Sequence, residues 1–257
     1  MPASDLTLIE TAARDAGAVA MRFWKANPRV WEKPGLGPVS EADLAVNDLL
    51  ADRLRGARPS YGWLSEETPD DAARLKAERL FILDPIDGTR AFIAGEKHFA
   101  ISIAVVERGH VTCGAIYLPA LDRLYSAADG QPALCNGLPI SCSSRAGLAG
   151  ADLLMSKSFL EPSHWSPPPP DLKRSFRSSI AYRLCLIAEG CFDGMISTRD
   201  AWEWDIAAGS LIAARAGAAV TDRDGQPLQF NAPGAKTAGI FTAPPKLHHE
   251  IMASFKA

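Results

Sequence analysis

A short apolar run that ends in two carboxylates constrains the fold of this chain most strongly. Residues 79–83 read RLFIL and lead directly into DPIDGT at 84–89. An apolar run of this length is typical of a strand buried on both faces. Gly88 then permits a sharp turn. The sequence therefore predicts a central strand that delivers Asp84 and Asp87 to one edge of a sheet.

Hydrophobic periodicity along the rest of the chain predicts a mixture of helices and strands. Helices are expected over 4–24, 40–55, 89–94, 180–189 and 206–215, and Leu44, Leu50 and Leu54 of the second helix are expected to point inward. Strands are expected at 61–64, 79–83, 99–106, 111–118, 123–127, 192–197, 218–221 and 239–242, with a Pro/Gly-rich loop at 33–40. Strands 99–106 and 111–118 are separated by one short turn, which favours antiparallel pairing. Because strands and helices do not strictly alternate, the pattern predicts a layered α+β fold.

Composition excludes several classes of protein. The 257 residues carry a net charge of −3, so general nucleic-acid binding is not expected. No apolar stretch approaches the length of a membrane span, and the N-terminus does not read as a secretory signal. Five cysteines without a C-x-x-C spacing predict reduced thiols and a cytoplasmic location. The chain is predicted to divide into two lobes, residues 1–145 and residues 146–257. The composition also changes near the prolines at 167–170.

The two carboxylates of the central motif indicate a metal site. Asp84 and Asp87 have no Lys or Arg beside them in sequence, so they repel each other unless a hard divalent cation lies between them. A helix starting at Thr89 would point free N–H groups at the same place and favour a phosphate. The alternative is an Asp-Pro turn in which the carboxylate only caps a helix.

Three further acids are candidates for the same site. Glu66 follows an apolar-aromatic strand end, and Asp205 lies just before the Ala-rich helix. Each alone is more typical of a cap or a solvated charge than of a ligand. Ser40-x-x-Asp43 is close to a capping box, which would suffice to explain Asp43 locally.

Three segments together resemble the inositol monophosphatase superfamily: Glu66-Glu67, the DPIDGT motif at 84–89, and WDIAAG at 204–209. The resemblance implies a layered αβαβα sandwich, often dimeric, and a Mg²⁺-dependent, typically lithium-sensitive phosphomonoesterase. It implies that two or three Mg²⁺ ions are held by Glu66, Asp84, the carbonyl of Ile86, Asp87 and Asp205.

The resemblance also implies roles in catalysis. Gly88 and Thr89 would contact the phosphate of a small phosphorylated metabolite. Asp43 matches the acidic residue that pairs with the motif threonine. Glu66 and Thr89 would orient a metal-activated water that attacks phosphorus in line, without a phospho-enzyme.

Within the superfamily, four segments are most similar to the CysQ-type 3′(2′),5′-bisphosphate nucleotidases: residues 64–67, 88–93, 117–125 and 186–190. Thr198 and Arg199 stand where inositol phosphatases usually carry a glutamate, and Arg183 lies where the nucleotidases tend to have lysine. Cations at Arg183 and Arg199 would suit a second phosphate. Two segments depart from the nucleotidase pattern: Arg90 and Ala91 replace the usual Lys-Glu, and the loop at 35–40 differs. Inositol-1-monophosphatase activity is the alternative.

Two other classes of protein are alternatives. A haloacid-dehalogenase-type phosphatase has a similar-looking D-x-D-G-T motif, but its carboxylates are two residues apart and not three, and its first aspartate attacks phosphorus covalently. A non-catalytic, metal-binding regulatory protein is the more distant alternative. It would bind Mg²⁺ and release no phosphate from any phosphomonoester.

Overall fold

A computed structural model describes residues 4–33, 35, 37–168 and 171–256. This part of the chain forms six α-helices: α1 Asp5–Phe23, α2 Glu41–Ala57, α3 Thr89–Ile93, α4 Ile180–Ala188, α5 Glu203–Arg215 and α6 Pro245–Ser254. The strands are β1 Val30–Lys33, β2 Gly37–Ser40, β3 Gly62–Ser65, β4 Arg79–Asp87, β5 Ala100–Glu107, β6 His110–Leu118, β7 Arg123–Ala128, β8 Leu134–Cys135, β9 Leu138–Pro139, β10 Asp152–Leu154, β11 Lys173–Ser175, β12 Gly194–Ser197, β13 Ala201–Trp202, β14 Ala219–Thr221, β15 Lys236–Thr237 and β16 Ile240–Ala243.

The two largest sheets alternate with three helical layers, and β1-β2 and β13-β15 form two further two-stranded sheets. The larger sheet has the order β3-β4-β5-β6-β7-β8-β9, and β4 through β7 pair antiparallel, as predicted for β5 and β6. The smaller sheet has the order β11-β10-β12-β16-β14. Helices α1 and α2 cover one face of the large sheet, α4 and α5 lie between the sheets, and α6 covers the outer face of the small sheet. The layered αβαβα architecture is confirmed.

Strand β4 is buried on both faces because its apolar side chains alternate between two cores. Leu80 and Ile82 pack toward the layer of α4 and α5, whereas Phe81 and Leu83 pack toward α1 and α2. This explains why the sequence of the strand is an unbroken apolar run. The strand continues through the acidic motif to Asp87, with an irregular register between its two carboxylates.

Two local predictions were wrong. The segment predicted as a loop at 33–40 contributes to a hairpin in which Val30–Lys33 pairs with Gly37–Ser40; Pro34 and Leu36 lie outside the described residues. Leu44 was expected to point inward but is 38% exposed. The buried face of α2 contains Ala42 and Val46, and a residue two positions away lies roughly 200° around the helix.

No helix in the described ranges combines the length and apolarity needed to cross a bilayer. The homodimer, the cytoplasmic location and the division into lobes at 145/146 stay predictions. Helix α5, from the second predicted lobe, contacts β4, β5 and β6 of the first. This contact matters for function because α5 carries Asp205 to the end of β4.

Candidate metal centre and active site

Three aspartates from two distant parts of the chain meet at one point. Asp84 and Asp87 lie at the end of β4, and Asp205 lies in the first turn of α5. This helix begins at Glu203, three residues before the predicted start at residue 206. One carboxylate oxygen from each residue lies within 4.8 Å of the others. The spacing allows one cation to contact all three.

Hydrogen bonds hold the first two aspartates in place. Oδ2 of Asp87 accepts from Oγ of Ser179 at 2.5 Å and from the backbone N–H of Ala181 at 2.7 Å, both at the N-terminus of α4. Oδ1 of Asp84 accepts from the backbone N–H of Ile86 at 2.9 Å. Each carboxylate therefore keeps its other oxygen available to a ligand.

The electrostatic environment of the three aspartates favours a cation. Burial, then the neighbouring carboxylates, raise the pKa values of Asp84 and Asp205 well above the usual range of an aspartate. Burial raises the pKa of Asp87 to about 6, although the hydrogen bond from Ser179 opposes the shift. In the described ranges, no Lys or Arg nitrogen lies within 4.0 Å of these carboxylates.

Glu66 lines the same cavity and has a partner that the sequence did not reveal. Nζ of Lys33 lies 3.2 Å from Oε1 of Glu66 and 2.7 Å from Oε1 of Glu67. Burial raises the pKa of Glu66 to about 7, the charge of Lys33 opposes the shift, and Glu67 adds to it. Lys33 lies at the end of β1 in a polar, Pro/Gly-rich segment, and no local sequence pattern predicts that it contacts the site.

Thr89 links the motif to helix α2. Its Oγ1 lies 3.1 Å from Oδ1 of Asp43 and 3.1 Å from the carbonyl oxygen of Ile86, so its single proton can be donated to either. Oδ2 of Asp43 accepts from the backbone N–H and the Oγ of Ser40, which completes the capping box of α2. Asp43 therefore both caps the helix and contacts the motif threonine.

Gly88 makes the turn that places Thr89. Its φ of +93° lies in the left-handed region, which side chains with a Cβ rarely adopt. A Cβ at this position would also lie 3.1 Å from the carbonyl oxygen of His98. The backbone conformation thus strongly favours glycine, and a Cβ would also make a tight contact here.

These residues surround a cavity of about 440 Å³. The predicted site residues that line it are Glu66, Asp84, Ile86, Asp87, Gly88, Thr89, Arg183 and Asp205. Pro38, Arg90, Phe176, Ser178, Trp202 and Trp204 complete the lining. Arg199 is exposed in the turn after β12 and is not brought to this cavity with the others.

The donor set fits a hard divalent cation. The converging atoms are carboxylate oxygens, which suit Mg²⁺, Ca²⁺ or Mn²⁺ better than soft metals. The charge of Arg183 offsets only part of the cost of burying Asp87 and Asp205, and a bound cation would remove more of it. Asp84, Asp87 and Asp205 are therefore able to hold a metal, with Glu66 facing the same cavity.

Comparison with known proteins identifies the fold and the chemistry. The family model described as "Inositol monophosphatase family" matches residues 3–257. The chain belongs to the inositol monophosphatase family. It is 33% identical over 232 residues to an inositol-1-monophosphatase of Rhizobium meliloti, covering 86% of this chain and 84% of the relative. It is 32% identical over 232 residues to the 3′(2′),5′-bisphosphate nucleotidase CysQ of Escherichia coli O157:H7, covering 85% and 90%.

Solved structures agree with this membership. The extragenic suppressor protein suhB of Bartonella henselae superimposes with a TM-score of 0.84 at 26% identity, covering 96% of both chains. An inositol monophosphatase of Thermotoga maritima gives 0.83 at 28% identity, covering 96% of this chain and 95% of the other. The protein is therefore a phosphoric monoester hydrolase of a metal-dependent family. The covalent haloacid-dehalogenase alternative is set aside by this membership.

The raised pKa values predict how metal binding depends on pH. The pKa values of Glu66 and Asp87 are higher in the folded protein than in the unfolded chain, so these groups bind more protons in the folded state. The metal-free protein therefore loses stability as pH rises from about 4 to about 7. Mg²⁺ competes with those protons. We expect saturating Mg²⁺ to raise the melting temperature by about 5 °C at pH 8 and by much less at pH 5.

Calorimetric scans of protein stripped with a chelator would measure this difference. The matched control is Asp122→Asn, which removes an exposed carboxylate that does not line the cavity and should leave both shifts unchanged. Equal shifts at the two pH values would contradict the assignment of the cation to these carboxylates.

Proposed function

We propose that the protein is a Mg²⁺-dependent 3′(2′),5′-bisphosphate nucleotidase, which converts adenosine 3′,5′-bisphosphate and water to AMP and phosphate. The observation that carries the proposal is that Arg183 lines the same cavity as the metal carboxylates. A substrate with two phosphates would place one at the metal and leave the other near a guanidinium, which binds phosphate in a fork geometry. Inositol monophosphates carry no second anion for Arg183.

In this proposal the residues of the site have separate roles in metal binding, proton transfer and phosphate binding. Glu66, Asp84, the carbonyl of Ile86, Asp87 and Asp205 would hold two or three Mg²⁺, which when bound supply an activated water and neutralise charge on the phosphate. Thr89 would orient the attacking water and pass its proton toward Asp43, the neighbour of its hydroxyl. The backbone N–H groups of Gly88 and Thr89 would contact the phosphate oxygens.

Inositol-1-monophosphatase activity is the second candidate. It is supported by the relative of that name, which is 33% identical to this chain. The nucleotidase relative is 32% identical, so sequence identity does not separate the two candidates. Arg199, exposed and outside the cavity lining, no longer contributes to the choice between them, so that choice rests on Arg183.

A direct comparison of substrates tests the proposal. Phosphate release would be measured on adenosine 3′,5′-bisphosphate, inositol 1-phosphate and fructose 1,6-bisphosphate, with Mg²⁺ and then with added Li⁺. We expect kcat/KM to be highest for the nucleotide, by about tenfold or more. A single charge-assisted contact in a partly buried site is enough to give that factor.

The variant Arg183→Gln should remove most of this preference, by raising KM for the nucleotide while changing the rate on inositol 1-phosphate little. Arg199→Gln is the matched control, because it removes the same charge from a position outside the cavity. A higher kcat/KM for inositol 1-phosphate than for the nucleotide would replace the proposal with the second candidate.

A further inference from the structure

A second cavity, of about 490 Å³, adjoins the metal cavity and is lined by two segments that carry predicted metal ligands. Glu66 and Asp70 line it from the segment that follows β3. Trp202 and Trp204 line it from the start of α5, the helix that carries Asp205. Because the two segments are not close-packed there, side-chain packing does not fix the distance between them at this point.

The segment that follows β3 is held only weakly by its own neighbours. Strand β3 lies at the edge of the large sheet. The backbone N–H of Glu66 donates to the carbonyl of Leu83 at 3.3 Å, and that of Glu67 donates to Oγ of Ser65 at 3.3 Å. Both bonds are longer than the usual 2.9–3.0 Å. The position of Glu66 therefore depends on the contacts that hold the far end of the segment.

Arg74 connects that far end to a loop late in the chain. Its Nε and Nη2 donate to the two carboxylate oxygens of Asp70 at 2.6 and 2.9 Å. Its Nη1 donates to Oδ1 of Asn231 at 2.6 Å, and Nη2 also donates to the carbonyl of Ala232 at 3.0 Å. Arg74 is only 3% exposed. A planar guanidinium that is buried in this way holds its partners in a fixed relation to each other.

Glu203 binds the same loop to the start of α5. Its Oε2 accepts from the backbone N–H of Asn231 at 2.7 Å, and its Oε1 accepts from the backbone N–H of Ala232 at 2.7 Å. The N–H of Glu203 donates to the carbonyl of Ala235 at 2.9 Å. Glu203 is fully buried and lies two residues before Asp205 in the first turn of the helix. The loop and this first turn are therefore held together as one unit.

The backbone of the loop indicates that these contacts fix its conformation. Asn231 has a φ of +65° and Ala235 a φ of +50°, both in the left-handed region. Alanine rarely adopts this region because of its Cβ. Such a conformation persists where the surrounding contacts over-determine it, and Arg74 and Glu203 supply those contacts here.

We propose that four residues outside the metal cavity form a brace that positions the metal centre. The residues of the brace are Asp70, Arg74, Asn231 and Glu203. The brace holds the segment of Glu66 at a fixed distance from the first turn of α5, so that Glu66 and Asp205 are correctly spaced before a cation binds. The proposal rests on the metal-ligand roles given to these two residues under the proposed function, and it does not depend on the choice of substrate.

The brace acts through the metal ligands and not on the substrate, because none of its residues lines the metal cavity. Ligands that are already in place bind a cation with a smaller loss of conformational entropy. Loss of the brace should therefore weaken the binding of the metal. Turnover should recover at saturating Mg²⁺, since the bound ions then hold the ligands together themselves.

The experiment measures the binding of Mn²⁺ alone to chelator-treated protein, by the loss of the electron paramagnetic resonance signal of free Mn²⁺. Mn²⁺ accepts the same oxygen ligands as Mg²⁺. We expect Arg74→Met to raise the Kd for Mn²⁺ about tenfold, the lower range for losing a residue that orients metal ligands. Its kcat at saturating Mg²⁺, on the preferred substrate, should stay within about twofold of wild type.

Arg145→Met is the matched control. Nε of Arg145 lies 2.7 Å from Oδ2 of Asp193, and neither residue lines the metal cavity or the second cavity. The variant also removes an arginine–aspartate ion pair, and it should leave the Kd for Mn²⁺ unchanged. All measurements would be made well below the melting temperature of each variant, so that loss of folded protein does not affect the Kd.

Glu203→Gln tests the other end of the brace and keeps the test decisive if Arg74→Met does not fold. The amide can accept from only one of the two backbone N–H groups that the carboxylate binds, so the Kd for Mn²⁺ should rise in this variant as well. Combining the two substitutions should add little, because residues of one network lose their effect together. Wild-type affinity in both single variants, or fully additive losses in the double variant, would overturn the brace.

Failure of the metal assignment would be recognised separately by including Asp84→Asn. Weak Mn²⁺ binding in Asp84→Asn, together with wild-type affinity in the two brace variants, would reject the brace alone. Wild-type affinity in Asp84→Asn would reject the metal site on which the brace depends. Because Mn²⁺ binding is measured without substrate, neither result depends on whether the enzyme prefers a nucleotide or an inositol phosphate.

Discussion

Asp84→Asn will lower phosphate release by about a thousandfold or more while the protein remains folded. Asp84 is 2% exposed, and one of its oxygens lies in the group of three that converges on the metal position. Losing this charge weakens cation binding, which supplies several kcal/mol of transition-state stabilisation in enzymes of this kind. The backbone N–H of Ile86 can still donate to the amide oxygen of asparagine.

The same substitution should not destabilise the metal-free protein. Burial and the nearby carboxylates raise the pKa of Asp84 well above its usual range, so its charged form is unfavourable in the folded state. A neutral amide removes that repulsion, and we expect a melting temperature in chelator equal to or above that of wild type. The shift produced by Mg²⁺ should shrink. Turnover close to wild type would refute the metal assignment; loss of the folded state would refute the electrostatic argument.

The central motif could be predicted from the sequence because its signal is local. The apolar run of β4 adjoins its carboxylates, and the turn at Gly88 follows within one residue. Ser40 and Asp43 are likewise three residues apart, and their capping box formed as their spacing indicated. Such features are decided by backbone geometry over a few residues.

Other parts of the site depend on contacts across the chain. Asp205 meets Asp84 only because α5 packs against the large sheet, and a resemblance to known sequences suggested this association where spacing alone did not. Ser179 was not identified from the sequence; its hydroxyl caps α4 and also donates to Asp87, 92 residues earlier in the chain. Lys33 had no local signal because its partners lie on another element.

Thr89→Val will lower kcat by about a hundredfold, the lower range of what a positioned proton-transfer group contributes. Valine keeps the shape of threonine but removes the hydroxyl that lies 3.1 Å from Asp43. Burial raises the pKa of Asp43 to about 6, and the bonds from Ser40 and Thr89 oppose the shift. Removing the Thr89 donor should therefore raise that pKa further and cost about 1 kcal/mol of stability.

A double-mutant cycle separates proton transfer from packing. Thr89→Ser retains the hydroxyl, and we expect it to stay within about tenfold of wild type. Asp43→Asn should lower kcat, and adding it to Thr89→Val should cost little more, because two groups that act as a unit lose their function together. Multiplicative losses in kcat would mean that Thr89 and Asp43 act independently. The pathway from the attacking water through Thr89 to Asp43 would then be wrong, even if each residue alone proved important.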